Sequence, residues 1–373
     1  MSNFFYPIRA SIGIVAAMRM KFISGLIIFA WATVATFAFD ARDADAAFQA
    51  YNTNFYVLHN GFGHYKKNLA GGHSDFWTQA EQIEMIADAY ERNSDPRARQ
   101  MITESINGFV SHHGTNWLEN EFNDDLMWIT IACARGYQVT HDDTFRQLAK
   151  FHFDAVYQRA WSTNLNGGLW WKIDNRTKNA CVNGPAAIAA CFLSEICHDP
   201  AYLGKAKEIF AWERATLFNP NSGAVYDNIH LNGDVVGPVF TYNTGTFLGA
   251  ANYLYTLTGD TNYLHDATLA ANFTRRRLAH NGILPAYGTG DTGGFNGIFL
   301  RWMARFATDQ QLWPQYYDWL ASNADAAWKV RRADNLSWQN WQTTTPDRNL
   351  DSWDCSDTIV ALEVIPAQRP AAK

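Results

Sequence analysis

Two adjacent carboxylates, Asp124 and Asp125, are the residues whose type and spacing best suit acid–base and nucleophilic chemistry. Asn123 before them has a side chain typical of a helix N-cap, so we expect both aspartates in the first turn of a helix. Neighbouring helical positions project about 100° apart, which allows the two carboxyl groups to lie near the ~5–5.5 Å separation of a retaining glycosidase. One carboxyl is then the nucleophile and the other the general acid and base.

An acidic pair at a helix N-terminus also has a purely structural interpretation, because the helix dipole favours negative charge there. Three features favour catalysis: the pair leaves a long loop, the following helix is apolar enough to be internal, and Trp117 and Trp128 flank the pair. Two carboxylates so close do not both ionise easily, so one is expected to keep its proton toward neutral pH. The helix dipole opposes that shift, and the sequence leaves open which effect is larger.

Other catalytic chemistries find no motif in this sequence. HExxH, paired histidines at metal spacing, a Cys/His cluster and GxSxG are all absent, so we expect no catalytic metal and no cofactor. The glycine-rich segment 288–294 lacks the preceding strand that a phosphate loop requires, and it is interpreted as a turn. A magnesium-dependent cyclase would need a further carboxylate one turn after Asp125, where the chain has the apolar residues 126–128.

Composition is consistent with carbohydrate binding. The chain has 15 Trp, 16 Tyr and 24 Phe residues, and sugar rings stack on such side chains; a Trp-rich core is the alternative. A formal net charge of -6 with scattered Lys and Arg argues against a nucleic-acid partner.

The element pattern predicts an all-α protein. Apolar residues recur at helical spacing over eleven or twelve segments, and short acidic caps return every 50 to 60 residues, which is the length of a helical hairpin. About six such hairpins predict an (α/α)6 barrel, with an open solenoid as the alternative. Every second connection is long and polar, so the functional site is expected among these loops at one end of the barrel.

The N-terminus predicts export. Residues 1–46 contain basic residues, an apolar run and small residues before Ala47, as in a secretory signal peptide; an uncleaved anchor is the alternative. Residues 47–373 are predicted to form one catalytic domain whose first helix spans 47–60. We expect a secreted or periplasmic monomer without stable membrane association beyond the signal segment, and buried, inert thiols for most of the five cysteines.

Several motifs in one order give this chain a specific resemblance to glycoside hydrolase family 76, the endo-α-1,6-mannanases. The resemblance spans about Asp75 to Arg305. The matching pieces are Asp75-Phe76-Trp77-Thr78-Gln79-Ala80-Glu81, Asn123-Asp124-Asp125-Leu126-Met127-Trp128, Gly167-Gly168-Leu169-Trp170-Trp171, Lys178-Asn179-Ala180, Gly223-Ala224-Val225-Tyr226-Asp227, Thr241-Tyr242-Asn243-Thr244-Gly245-Thr246 and Phe295-Asn296-Gly297-Ile298-Phe299-Leu300-Arg301.

The resemblance implies an (α/α)6 fold and retaining cleavage of α-1,6-linked mannose chains, with Asp124 as nucleophile and Asp125 as acid and base. It implies that Asp227 binds hydroxyls of the sugar beyond the cleavage point. The expected substrate-binding residues are Asp75, Trp77, Asn123, Trp171, Tyr226, Asp227, Tyr242, Asn243 and Arg301; Trp77, Trp171, Tyr226 and Tyr242 are either stacking platforms or core.

The chain departs from the family pattern at Thr244 and Asn296, where glutamine and lysine are usual, so endo versus exo action stays open. An exo-α-1,6-mannosidase and a mannan transglycosylase are the alternatives on the same site. An uronide hydrolase should have basic residues in the cleft, and an epimerase should have paired histidines. A non-catalytic glycan-binding protein would not need both Asp124 and Asp125.

Overall fold

The computed structural model describes residues 39–371, and most of them are helical. In chain order, the twelve α-helices of this part are α1 (Ala41–Phe55), α2 (Phe76–Asn93), α3 (Pro96–His113), α4 (Asn123–Thr140), α5 (Asp143–Ala160), α6 (Ala180–Ile196), α7 (Pro200–Thr216), α8 (Thr241–Thr258), α9 (Thr261–Phe273), α10 (Phe295–Asp309), α11 (Trp313–Lys329) and α12 (Ser352–Val364). A π-helical turn, Thr274–Leu278, extends α9.

The even-numbered helices form a closed inner ring. Each of α2, α4, α6, α8, α10 and α12 packs against the next one, and α12 returns to pack against α2. The odd-numbered helices pack outside this ring. Burial follows the same division, since α6 is buried over almost its whole length whereas α5 buries one face only. The predicted (α/α)6 barrel is therefore confirmed, and the open solenoid is excluded by the contact between α12 and α2.

Acidic caps start four of the outer helices, as the sequence predicts. Each cap's carboxylate accepts a hydrogen bond from the backbone N–H two residues later, which satisfies a donor that the helix itself leaves free. The caps are Asp95, Asp142, Asp199 and Asp260. They follow short turns, so each inner helix passes quickly into the next outer one, and the longer loops lie at the opposite end.

Short strands occupy some of these longer loops, which the sequence analysis did not predict. One antiparallel sheet contains β1 (Tyr56–His59), β2 (Phe62–Asn68) and β3 (Gly71–His73). The other contains β4 (Thr177–Asn179), β5 (Asn228–His230) and β6 (Val235–Val236). β2 has seven residues, and the other five strands have two to four, which is too short to show a clear alternation of apolar and polar side chains. The second sheet joins the loop before α6 to the loop before α8.

The first helix differs from the predicted 47–60. α1 begins at Ala41, where Asp40 and Asp43 form a capping box, and Ala44 is already buried. A chain boundary between residues 46 and 47 would divide this helix. The signal peptide itself stays a prediction, because residues 1–38 lie outside the described part. No helix within residues 39–371 has the length and apolar character needed to cross a membrane.

Candidate active site

The N-termini of the six inner helices meet at the end of the barrel that has the long loops. Asp75 precedes α2, Asp124 and Asp125 lie in the first turn of α4, and Tyr242 and Asn243 in the first turn of α8. The fold thus brings together most of the residues expected from the sequence.

Asn123 has a different role from the predicted one. Phe122 occupies the N-cap position of α4, and no side chain caps this helix. The Asn123 amide is buried, donates to the Trp170 carbonyl at 2.8 Å and accepts from Nε of Arg159 at 2.6 Å. Its polar atoms are thereby used within the protein, so Asn123 joins α4 to the neighbouring loop and is not placed to bind substrate.

Asp124 lies against the inner wall of the site. Within residues 39–371, its buried Oδ1 accepts no hydrogen bond. Burial and then the neighbouring Asp125 charge raise the pKa of Asp124 to about 8, although interactions with the Trp171 and Cys181 side chains favour its ionised form. An oxygen that is desolvated and unpartnered is available to a ligand that enters the site.

Asp125 is the more open carboxyl of the pair. Its Oδ2 accepts a hydrogen bond from Nδ2 of Asn120 at 2.8 Å. Burial raises the pKa of Asp125 to about 6, against the effect of Asn120, and the Asp291 and Asp75 charges add to the rise. The question left open by the sequence is thus answered: both pKa values lie above the ordinary value despite the helix N-terminus.

These two pKa values leave a single proton on the pair around neutral pH. Between about 6 and about 8, Asp124 and Asp125 together hold one proton and one negative charge. The two groups titrate as a unit, so the proton belongs to the pair and not to one member alone. One acid and one ionised carboxylate are the combination that general acid and nucleophilic catalysis need.

Asp227 lies on the α8 side of the site. Its Oδ1 accepts from Nδ2 of Asn243 at 2.9 Å, and its Oδ2 accepts from Nδ2 of Asn228 at 2.8 Å. Asp227 and Asp124 both act on Cys181 and Tyr242, raising the pKa of each side chain beyond what burial alone does. The side chains of Asp124, Cys181, Asp227 and Tyr242 therefore form one cluster at the N-termini of α4, α6 and α8.

Aromatic side chains surround the carboxylates. Trp77 donates from Nε1 to Oδ1 of Asp291 at 3.0 Å, and its ring lies 4.8 Å from that of Trp353. Tyr242 stacks on Phe295 at 3.9 Å between centroids. Trp77, Trp171, Tyr226 and Tyr242 are all partly exposed. Partly exposed rings can present a flat face to a sugar, and the hydrogen bond to Asp291 fixes the orientation of Trp77.

Asp75 lies at the exposed rim of the site. Its carboxylate pairs with Nζ of Lys67 at 2.9 Å, and both side chains are largely exposed. The pair brings β2 to the start of α2. An exposed ion pair of this kind adds little stability, so the carboxylate can exchange its partner for a ligand at small cost.

Arg301, which the sequence analysis expects to bind substrate, instead has its guanidinium engaged in a buried ion-pair network. Its buried guanidinium donates from Nε to Asp88 at 2.7 Å and from Nη1 to Glu81 at 2.5 Å. Arg135 donates to the other Asp88 oxygen at 2.7 Å, so the network ties α2, α4 and α10 together. Arg301 comes six residues after the start of α10, which places it about 9 Å along the helix from the end of the barrel that has the long loops. A motif match does not show this depth.

The two departures from the family pattern do not line the cleft either. Thr244 is buried and donates from Oγ1 to the carbonyl of Phe240 at 3.0 Å. Asn296 is buried, accepts from Oγ1 of Thr241 at 2.9 Å and donates to the carbonyl of Pro285 at 2.9 Å. Both side chains stabilise the starts of inner helices.

Sequence reasoning missed several residues of the site. Asn120 contacts Asp125, Cys181 contacts Asp124, and Asp291 orients Trp77. Asp354 accepts from the Gly290 backbone N–H at 2.9 Å, and burial raises its pKa to about 7. Asp291 was visible only as part of a glycine-rich turn, and Cys181 only as an apolar helical residue. Within residues 39–371, no three His, Cys, Asp or Glu side chains are arranged to hold a metal ion.

A closed helical barrel with two adjacent carboxyls in an aromatic-lined mouth has the architecture of a glycoside hydrolase. The family model of glycosyl hydrolase family 76 matches residues 40–371, and the chain belongs to that family. Among solved structures, it resembles the α-1,6-mannanase of Salegentibacter sp. HEL1_6, with 31% identity, a TM-score of 0.80, and coverage of 87% of this chain and 98% of the other. An inactive variant of that mannanase in complex with α-1,6-mannotetrose gives a TM-score of 0.81 at 30% identity.

Curated relatives are more distant. The mannan endo-1,6-alpha-mannosidase DCW1 of Candida glabrata is 27% identical over 242 residues, which cover 57% of this chain and 53% of that protein. The DCW1 protein of Saccharomyces cerevisiae is also 27% identical, over 241 residues, with the same coverage. The chain thus spans about half the length of these relatives.

Proposed function

We propose that this protein hydrolyses α-1,6-mannosidic linkages within mannan chains, with retention of configuration, through a covalent glycosyl intermediate on Asp124. The observation that carries the proposal is the pair Asp124 and Asp125, whose raised pKa values leave one proton for two carboxyls near neutral pH. A retaining glycosidase starts its reaction from this protonation state.

In the first step, the proton of Asp125 passes to the glycosidic oxygen as the bond from that oxygen to the anomeric carbon breaks. The Asp124 carboxylate forms the bond to the anomeric carbon. In the second step, the Asp125 carboxylate takes a proton from water, the water oxygen attacks the anomeric carbon, and Asp124 is released. In the free protein the higher pKa of Asp124 favours the shared proton on that residue, so the mechanism requires the proton to move to Asp125 when substrate is bound. The interactions of Trp171 and Cys181 with ionised Asp124 act in that direction, against the larger effects of burial and of the Asp125 charge.

Relatives support the choice of linkage. The Salegentibacter protein is an α-1,6-mannanase, and variants of it with two consecutive aspartates replaced are inactive and were obtained with α-1,6-mannotriose and α-1,6-mannotetrose. A site that accepts four linked mannoses suits endo action, and we carry this substrate over to the present chain. Trp77, Trp171, Tyr226 and Tyr242 are proposed to stack on the sugars and Asp227 to bind hydroxyls. We further propose that the protein acts outside the cytoplasm as a monomer.

Digestion of linear α-1,6-mannan tests the proposal. Asp124→Asn and Asp125→Asn should each lose orders of magnitude in turnover while the far-UV circular dichroism stays unchanged. Asp143→Asn is the matched control, since Asp143 also lies in the first turn of a helix but is exposed and paired with Arg146. This control should keep full activity.

The products distinguish the alternatives. A ladder of short oligomers supports endo hydrolysis, mannose alone supports an exo-mannosidase, and products longer than the substrate support a transglycosylase. Mannan that is bound and never cleaved would replace the proposal by a glycan-binding protein. Near-normal turnover in either aspartate variant would remove that residue from the mechanism.

A further inference from the structure

Lys178, on β4, has a fully buried side chain that extends into the loop between α5 and α6. Its Nζ donates to three backbone carbonyls of this loop: Ser162 at 2.9 Å, Asn164 at 2.7 Å and Gly167 at 2.5 Å. An ammonium group has three N–H donors and no acceptor, so all of its donors are satisfied by one short segment. A neutral amine would leave one of these carbonyls without its donor.

Within residues 39–371, no carboxylate pairs with this ammonium. Its Nζ lies 4.6 Å from the ring centroid of Trp170 and 5.7 Å from that of Trp212. Burial lowers the pKa of Lys178 to about 8. Burying this lysine is costly, and its partners in the described part of the chain are carbonyl dipoles and aromatic faces, so we infer a structural requirement for its three donors.

The loop that Lys178 binds has an unfavourable backbone. Four consecutive residues have positive φ angles: Leu165 at 56°, Asn166 at 65°, Gly167 at 121° and Gly168 at 82°. Two of them are not glycine, and each costs energy in this conformation. The carbonyl oxygens of Ser162, Asn164 and Gly167 converge on one point, and the Lys178 ammonium offsets the repulsion between them.

The same loop is hydrogen-bonded to Asn123, the residue before the proposed nucleophile. The Trp170 carbonyl accepts from Nδ2 of Asn123 at 2.8 Å, and the Trp171 carbonyl accepts from the Asn123 backbone N–H at 2.8 Å. The Trp171 side chain interacts with the Asp124 carboxyl. A displacement of the loop would therefore move both the first residue of α4 and the indole beside Asp124.

We propose that Lys178 is a positioning residue for catalysis: its ammonium fixes the 162–167 loop, and the loop in turn fixes Trp171 and the start of α4 around Asp124. This inference rests on the proposed function, because it assigns Lys178 to the reaction of that same site. Lys178 acts through Trp171 and the start of α4, and it contacts no substrate itself.

The test uses Lys178→Met, which keeps an unbranched side chain of similar length and removes all three N–H donors. On α-1,6-mannan we expect kcat to fall about 10- to 100-fold, because small displacements at the reacting centre have effects of this size. KM should change less than kcat, because Trp77 and Tyr242 lie on α2 and α8 and not on this loop. In a Trp171→Ala background, Lys178→Met should cost less activity than in wild type, because the contribution of the Trp171 indole is already removed. Lys205→Met is the matched control, since Lys205 also lies over aromatic rings but pairs with Asp154 on the outer helices.

Hydrogen exchange gives a second readout that does not need activity. The backbone amides of Asn123 and of residues 162–167 should exchange faster in Lys178→Met than in wild type. Their exchange rates should be unchanged in Lys205→Met. Trp212→Phe, which removes the indole hydrogen bond to the Leu165 carbonyl at 2.8 Å, is the milder variant if Lys178→Met does not fold, and it should change kcat in the same direction.

The outcomes separate the two proposals. If wild type digests mannan and Lys178→Met has normal kcat or normal exchange, the role of Lys178 is refuted and the proposed function stands. Wild type without activity would refute the proposed function, and with it any catalytic role of Lys178, even if the loop exchanges faster.

Discussion

Asn120 lowers the pKa of Asp125 through one hydrogen bond. Its Nδ2 donates to Oδ2 of Asp125 at 2.8 Å, and this interaction lowers the pKa of Asp125 against the larger effect of burial. An amide N–H stabilises the ionised carboxylate more than the neutral acid. Replacing Asn120 by alanine should therefore raise the pKa of Asp125 above its value of about 6.

The size of the shift follows from the energy of the bond. Hydrogen bonds to charged groups contribute about 1.5–3 kcal/mol, and one pKa unit corresponds to about 1.4 kcal/mol. The expected rise is thus about 1 to 2 units. Asp125 is partly exposed, so water can replace part of the lost bond, and we expect the lower end of this range.

The assay is the pH profile of kcat/KM on α-1,6-mannan. Activity falls on the acid side when the pair takes up its second proton, and Asp125 has the lower pKa of the two. The acid-side midpoint in Asn120→Ala should move to higher pH by about one unit. Asn116→Ala is the control, because Asn116 accepts from a backbone N–H two residues later, as Asn120 does, but it donates to no carboxylate within residues 39–371.

An unchanged acid limb in a folded Asn120→Ala protein would refute this reasoning. A shift to lower pH would contradict it more strongly, because the hydrogen bond would then favour the protonated form of Asp125. An equal shift in Asn116→Ala would trace the effect to the loop and not to the bond.

Two further predictions concern stability. Arg301→Met leaves Glu81 and Asp88 short of a buried partner, so the free energy of unfolding should fall by about 3–5 kcal/mol in urea titrations, while kcat per folded molecule stays near normal; an unchanged unfolding midpoint would contradict this. Burial lowers the pKa of His152 from 6.5 to about 4, and its Nε2 accepts from the Trp117 backbone N–H. Because the folded state resists protonation of His152, its contribution to the free energy of unfolding is complete above pH 6.5 and falls by about 1.4 kcal/mol per pH unit as pH decreases toward 4. In thermal melts over this range, the stability of His152→Phe should therefore decline less steeply than that of wild type. Parallel declines would exclude His152 as the cause.

The helices were predictable because their signals are local. Apolar spacing and the caps at Asp95, Asp142, Asp199 and Asp260 depend only on neighbouring residues, and both agree with the structure. Ring closure was predicted from the number of hairpins. The start of α1 was mistaken because the apolar segment before it ends close to Asp40, and composition alone cannot separate an export signal from the first turn of a folded domain.

The site was predictable only as far as position in an inner helix decides a side chain's role. Asp124, Asp125 and Tyr242 lie in the first turn of their helices and reach the mouth. Arg301 lies further along α10 and belongs to the interior network. Asn120 and Cys181 escaped notice because their roles depend on contacts that only the assembled barrel provides.

Burial separates the proposed catalytic pair from other acidic residues at helix starts. Asp143 lies in the first turn of α5 just as Asp124 lies in that of α4, and both helices favour negative charge at this point. The exposed Asp143 has a lowered pKa because Arg146 and Gln147 bind its carboxylate, whereas burial and Asp125 raise that of Asp124. The same local sequence signal thus gives opposite proton affinities, since an inner helix withdraws its first turn from water. A backbone hydrogen bond in this first turn still lowers the pKa of Asp124, but by less than burial and the Asp125 charge raise it.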